Sequence, residues 1–115
     1  MPLPLFKAFG LLKKSYALAN NRFGLENNIC TAIMQACDEI IAGNLHNHSS
    51  LNICEKGSSA QINMNVNEVI ANYATQNLDR TMGIESVVHP NQHVNKNQSS
   101  DVMFFIGRNR CFPLL

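Results

Sequence analysis

Apolar side chains recur every three or four positions through residues 5–41, and this periodicity restricts the beginning of the chain to amphipathic helices. The first helix is predicted to begin at Pro4, since proline suits a first helical turn, and to end near Gly24. Its apolar stripe consists of Leu5, Phe9, Leu12 and Tyr16. The lysines that lie off this stripe are Lys7, Lys13 and Lys14.

A second helix is predicted from Glu26 to Gly43, where glycine favours the end of a helix. Its apolar positions are Ile29, Cys30, Ile33, Met34, Ala36, Cys37, Ile40 and Ile41. They cover a broad face, so we expect this helix to contact more than one neighbour.

A third helix is predicted from about Asn63 to Leu78, with Asn63 or Asn65 as its N-cap. Residues 44–60 and 79–98 lack periodicity and are predicted to be loops, the second with a turn at His89-Pro90. No segment alternates convincingly enough for a strand. We therefore expect an all-α chain of three or four helices with long loops.

Composition excludes several classes of partner. A formal net charge of +1 without runs of Lys or Arg predicts neither a nucleic-acid nor a membrane partner. The opening residues resemble neither a secretory signal nor a mitochondrial presequence, so no targeting segment is expected. The four cysteines have no metal or disulfide spacing and are predicted to be free thiols. His46 and His48 alone make a weak case for metal, and we predict no metal site and no cofactor.

Two dense motifs lie in the second half of the chain. Residues 57–68 read GSSAQINMNVNE and residues 89–100 read HPNQHVNKNQSS. They resemble the class II fumarate hydratase signatures GSGTQTNMNVNE and HPNDHVNKSQSSND of the fumarase/aspartase superfamily. Gln61, His89 and the pair Ser99-Ser100 favour the fumarase branch over aspartase. The resemblance extends over residues 1–100, which we interpret as an N-terminal lyase segment, followed by a divergent tail at 101–115.

The resemblance implies a reaction, the reversible hydration of fumarate to L-malate in the tricarboxylic acid cycle, and a dicarboxylate ligand. It also implies a homotetramer with active sites built from three subunits, and a mitochondrial or cytoplasmic location. The expected substrate-binding residues are Ser58, Ser59, Ala60, Ser99, Ser100 and Asp101. The expected accessory anion site comprises His89, Pro90, Asn91 and Gln92. Without the resemblance, Ser99 and Ser100 would be ordinary helix caps and the histidines ordinary surface residues.

Several departures from the family fall on the predicted binding residues. Ser59-Ala60 replaces Gly-Thr, which removes a hydroxyl donor. After Ser100 the family has Asn-Asp but this chain has only Asp101, so the asparagine is either replaced or deleted and its amide donor is lost. Gln92 replaces an aspartate, and Cys54-Glu55-Lys56 replaces Trp-Gln-Thr.

The family's catalytic serine loop, its histidine segment and its central helical bundle have no counterpart in these 115 residues. We therefore expect no catalytic residue here, and a fumarate hydratase-like chain, truncated before the bundle, that is inactive alone. The alternative is a non-catalytic protein that docks on full-length fumarase subunits through the apolar faces of its first two helices.

Overall fold

A computed structural model describes residues 3–45 and 59–96, and the regular structure in these two stretches is entirely helical. Helix α1 spans Leu3–Asn21, α2 spans Asn27–Ile41 and α3 spans Ser59–Asn77. Two single π-helical turns follow, π1 at Leu78–Met82 and π2 at Pro90–Val94. The predicted all-α fold is confirmed.

Helices α1 and α2 each end shortly before a glycine. Gly24 has a φ of 106° and Gly43 a φ of 88°, conformations that glycine adopts without the steric cost of a Cβ atom. The Gly43 amide donates to the Ile40 carbonyl at 2.9 Å, which satisfies one of the last carbonyls of α2. At the other end of α2, Glu26 is the N-cap residue. The first two predicted helices are confirmed to within a few residues.

Helix α2 lies between its neighbours, packed against α1 on one side and α3 on the other. Fully buried side chains from all three helices form a single core: Phe6, Phe9, Ile33, Ile40, Ile62, Val66 and Ile70. This arrangement explains the broad apolar face of α2, because one helix with two neighbours needs two buried sides. The prediction that α2 contacts more than one neighbour is therefore confirmed.

The contact between α1 and α2 depends on Gly10. A Cβ atom built on Gly10 would lie 2.6 Å from Cγ2 of Ile40 and 3.4 Å from the carbonyl oxygen of Cys37. Real Cβ atoms do not approach that closely, so the missing side chain lets the two helices pack at this distance.

Helix α3 begins at Ser59, earlier than predicted, and the assignment of Asn63 or Asn65 as its cap is wrong. Asn63 lies inside the helix and is fully buried, as is Asn67 one turn later. Asparagine is a common cap because its amide can bond to backbone groups. The amide of Asn63 instead donates to Oδ1 of Asn95 at 2.9 Å, a distant partner that local sequence does not reveal.

The position of Lys13 also differs from the amphipathic pattern. Lys7 and Lys14 are partly exposed, but Lys13 is only 1% exposed. Its side chain extends into the core, where Nζ donates to Oδ1 of Asn95 at 3.3 Å. Its neighbour Lys14 instead forms an ion pair with Asp38 of α2 at 2.7 Å.

The faces that we expected to dock on another protein are used within the chain itself. Leu5, Phe9 and Leu12 of α1 and Ile29 and Ile33 of α2 are buried in the core, so they are not available to a partner. None of the helices in residues 3–45 and 59–96 is long and apolar enough to cross a membrane. Cys30 and Cys37 are buried free thiols, as predicted.

Candidate functional site

The second motif begins with a tight turn built around Pro90. His89 has extended backbone angles, φ −93° and ψ 133°, and Pro90 takes the first position of π2, where its missing N–H costs no hydrogen bond. The amides of His93 and Val94 donate to the His89 carbonyl at 3.0 and 3.2 Å, and the Asn95 amide donates to the Pro90 carbonyl at 2.9 Å. We call residues 89–95 the anion turn, after the accessory site predicted there.

The histidine pair of the anion turn has a defined arrangement. The His89 backbone amide donates to Nδ1 of His93 at 2.9 Å, and the two rings lie 5.4 Å apart at 40°. Nδ1 is therefore the acceptor, and the neutral ring carries its proton on Nε2. The pKa of His93 is lowered from 6.5, first by burial and then by the positive charges of His89 and Lys96, although Glu26 acts in the opposite direction. At neutral pH this bond is therefore retained.

Three of the four predicted anion-site residues are open to solvent. His89, Asn91 and Gln92 are exposed, and Pro90 is partly buried. These three exposed residues belong to one short turn.

The anion turn is tied to both α1 and α3. Oδ1 of Asn95 accepts hydrogen bonds from Nζ of Lys13 at 3.3 Å and from Nδ2 of Asn63 at 2.9 Å. One residue further along, the Lys96 carbonyl accepts a hydrogen bond from Nδ2 of Asn20 at 2.9 Å. The end of the turn is therefore held by side chains from two helices.

These contacts bring the two sequence motifs together. Asn63 belongs to the first motif and Asn95 to the second. Ser59 and Ala60 form the first turn of α3, about 6 Å along the helix axis before Asn63 at 1.5 Å per residue. Of the residues predicted to bind substrate, Ser59 and Ala60 therefore lie at the beginning of α3.

The remaining predicted substrate residues, Ser58, Ser99, Ser100 and Asp101, lie outside the described residues, as do Cys54 and Cys111. No group of three or more His, Cys, Asp or Glu side chains in residues 3–45 and 59–96 could hold a metal ion. A surface cleft of about 340 Å³ beside Tyr73 and Arg80 contains none of the predicted site residues.

Three residues that position the site were not singled out from the sequence: Lys13, Asn20 and Asn95. Lys13 and Asn20 come from a helix far from either motif in sequence, and only the fold brings them to the anion turn. Asn95 lies within the second motif, but its spacing gave no indication that it faces the interior rather than a ligand.

Comparison with known proteins identifies the class to which this arrangement belongs. The family model described as "Lyase" matches residues 5–104, and the chain belongs to this lyase family. The chain is 49% identical over 104 residues to the mitochondrial fumarate hydratase of Rattus norvegicus, covering 90% of this chain and 20% of that protein. It is 50% identical over 105 residues to the class II fumarate hydratase of Thermus aquaticus, covering 90% of this chain and 22% of that protein.

A solved structure agrees with these relatives. The crystal structure of recombinant class II fumarase from Schistosoma mansoni superposes with a TM-score of 0.87 at 35% sequence identity, covering 99% of this chain and 24% of that one. The predicted resemblance to class II fumarate hydratase is confirmed. The chain spans about a fifth of the length of the curated relatives it matches.

Proposed function

We propose that this chain forms part of the dicarboxylate-binding region of a fumarate hydratase, and that these 115 residues alone bind fumarate or L-malate without interconverting them. The observation that carries the proposal is the hydrogen bond between Asn63 and Asn95, which joins the two fumarase-like motifs. The identity of about half of all residues to fumarate hydratases supports the choice of ligand.

The chemistry of fumarate explains why such an arrangement would suit it. Hydration of this rigid dicarboxylate passes through a carbanion-like state, in which the extra charge spreads onto one carboxylate. Stabilising that state requires several oriented donors, such as hydroxyls and the free backbone amides at a helix N-terminus. We propose that Ser58, Ser59, Ser99 and Ser100 supply hydroxyl donors, and that Ala60 and Asp101 contribute only their backbone amides. Ser59 is the first residue of α3.

The proposed lack of turnover follows from the residues themselves. Ala60 lacks the hydroxyl that the family's threonine carries at this position, and losing one such donor costs on the order of 10²- to 10³-fold in rate. If Asp101 takes the place of the family's asparagine, its carboxylate repels a carboxylate of the ligand by roughly 1 to 4 kcal/mol at ~4 Å, which weakens binding. The segments to which the resemblance assigns the catalytic serine and histidine are absent from these 115 residues.

We also propose that His89, Pro90, Asn91 and Gln92 form an accessory anion site. Support comes from the solvent exposure of His89, Asn91 and Gln92. Gln92 stands where the family has an aspartate, so this position adds no negative charge that would repel an anion.

Turnover can be tested with the purified chain and fumarate. The ultraviolet absorbance of fumarate should remain constant with the chain present and should fall when an intact fumarate hydratase is added as the positive control. A steady fall of absorbance that scales with the concentration of the chain alone would show that these residues are catalytically sufficient.

A second candidate function is a non-catalytic protein that docks on fumarase subunits. One observation favours it: three leucines of α1, Leu3, Leu11 and Leu18, are exposed, with exposed fractions of 36%, 42% and 50%. They lie within about 80° of one another around the helix at 3.6 residues per turn, in a sector that they share with the partly exposed Lys7 and Lys14. Co-purification with an intact fumarase that is lost in Leu11→Asp but kept in Ser15→Asp would support docking, and equal loss in both would argue against these leucines.

Two further points stand as proposals. We assign residues 1–100 to the lyase segment and residues 101–115 to a divergent tail. We also propose a mitochondrial or cytoplasmic location, on the basis of relatives named as mitochondrial fumarate hydratases.

A further inference from the structure

The interior of the fold contains one lysine that neither motif explains. Lys13 lies on α1, is only 1% exposed and belongs to no segment for which the fumarase resemblance implies a role. Burial removes the amine from water at a substantial cost in free energy, and lysine is rarely buried unless its amine makes specific contacts. Its position in this core therefore requires a local reason.

The contacts of Lys13 supply that reason. Its Nζ donates to the side-chain Oδ1 of Asn95. The backbone amide of Asn95 donates to the Pro90 carbonyl, and this hydrogen bond closes π2. The same Oδ1 atom accepts from Nδ2 of Asn63, so one oxygen atom joins α1 and α3. The carbonyl of Lys96, which follows Asn95, accepts a hydrogen bond from Asn20, which lies two turns after Lys13 on α1.

We propose that Lys13 is a positioning residue that holds the end of the anion turn against α1 through Asn95. Lys13 contacts the turn from the core, and we assign it no contact with a ligand. Any effect of Lys13 on dicarboxylate binding rests on the function proposed above. Its role in holding the turn does not depend on that function.

A lysine suits this role because its amine can donate a hydrogen bond in either protonation state. Burial lowers the pKa of Lys13 from 10.5 to about 7, and the Cys37 thiol of α2 acts in the opposite direction. Both forms are therefore populated near neutral pH, and either one can donate to Asn95. In the turn itself, the charged or titratable groups that act on the half-buried His93 are His89, Lys96 and Glu26.

The test compares two single variants of the full 115-residue chain. Lys13→Met keeps the length and volume of the side chain but removes the donor, and Lys14→Met removes the same charge from the adjacent residue, which bonds to Asp38 instead. Amide hydrogen exchange is measured by NMR at the amides that close the anion turn: His93, Val94 and Asn95. The reference is the amide of Cys30, which bonds to the Glu26 carbonyl in α2.

In Lys13→Met, the turn amides should exchange about tenfold faster, since a hydrogen bond from a buried amine contributes on the order of 1.4 kcal/mol, which is a tenfold change. The Cys30 amide should not accelerate, and Lys14→Met should match the wild type at every site. The pKa of His93 should also move upward towards 6.5 in Lys13→Met alone, because a released turn exposes the ring.

Asn95→Ala provides an independent variant of the same contact. It should reproduce the faster exchange at the His93 and Val94 amides, and the double variant with Lys13→Met should exchange no faster than Asn95→Ala alone. Wild-type exchange at the turn in Lys13→Met, or an equal acceleration of all amides including Cys30, would overturn the proposal. The exchange is measured without ligand, so a failure to bind malate would contradict the proposed function and leave this result intact.

Discussion

Burial of the Lys13 amine couples the stability of the fold to pH. The pKa of Lys13 is about 7 in the folded chain and 10.5 when unperturbed, so between these values the unfolded chain binds a proton that the folded chain does not. Stability therefore rises with pH across this window. The full difference corresponds to about 5 kcal/mol, and the slope is about 1.4 kcal/mol per pH unit.

The buried thiols set the upper limit of this rise. The pKa of Cys37 is raised from 9.0 to about 12 by burial, and that of Cys30 is raised by the same cause. A raised thiol pKa contributes stability that is present below pH 9 and is lost as pH rises above it, because the unfolded chain then releases protons that the folded chain keeps. Because the folded amine is still half protonated at pH 7, the stability of the wild type should increase by about 2.3 kcal/mol from pH 7 to pH 9 and then stop increasing.

The assay is urea denaturation followed by far-ultraviolet circular dichroism at pH 7, 8 and 9. Lys13→Met should unfold with a free energy that changes little across this range, and it should be more stable than the wild type at pH 7, where the buried amine is most costly. Lys14→Met is the control and should keep the wild-type slope. An equal slope in Lys13→Met and the wild type would refute the assignment of the buried charge to Lys13.

Three further predictions concern packing and surface contacts. Gly10→Ala should lower the free energy of unfolding by about 1 to 3 kcal/mol, because its Cβ would meet Cγ2 of Ile40 at 2.6 Å, and this loss should be smaller in a chain that carries Ile40→Ala, which removes Cγ2. Lys14→Met should cost no more than about 1 kcal/mol at pH 7, since its ion pair with Asp38 is partly exposed; a larger loss in the same urea titration would contradict this. The Cys37 thiol should react with a thiol reagent much more slowly in the folded chain than in the urea-unfolded chain, so equal labelling rates in the two states would contradict its burial.

The sequence predicted the helices well where their signals were local. Apolar periodicity and the glycines at positions 24 and 43 located α1 and α2, because a helix stripe and a left-handed residue are properties of a few neighbouring side chains. The beginning of α3 was misplaced because the interaction that uses Asn63 is not local. Asn63 is a good cap by composition, but its amide is used by Asn95, which lies 32 positions away.

The candidate site was only partly accessible to sequence reasoning. The two motifs identified the family. The turn at His89-Pro90 was predicted because a proline and its preceding residue restrict the backbone locally. The burial of Lys13 could not be predicted, since a lysine next to an apolar stripe is normally solvated and only the tertiary fold buries this one. The joining of the two motifs through Asn63 and Asn95 is likewise a property of the fold.

Whether the two motifs bind a dicarboxylate together is tested most directly by adding carbon-13-labelled fumarate to the nitrogen-15-labelled chain and following both by NMR. We expect the amides of residues 58–60 and 99–101 to shift together with one common saturation curve, while the fumarate signal persists unchanged. Appearance of the malate signal, or amide shifts that are absent from either motif at saturating fumarate, would contradict a shared site that binds without turnover.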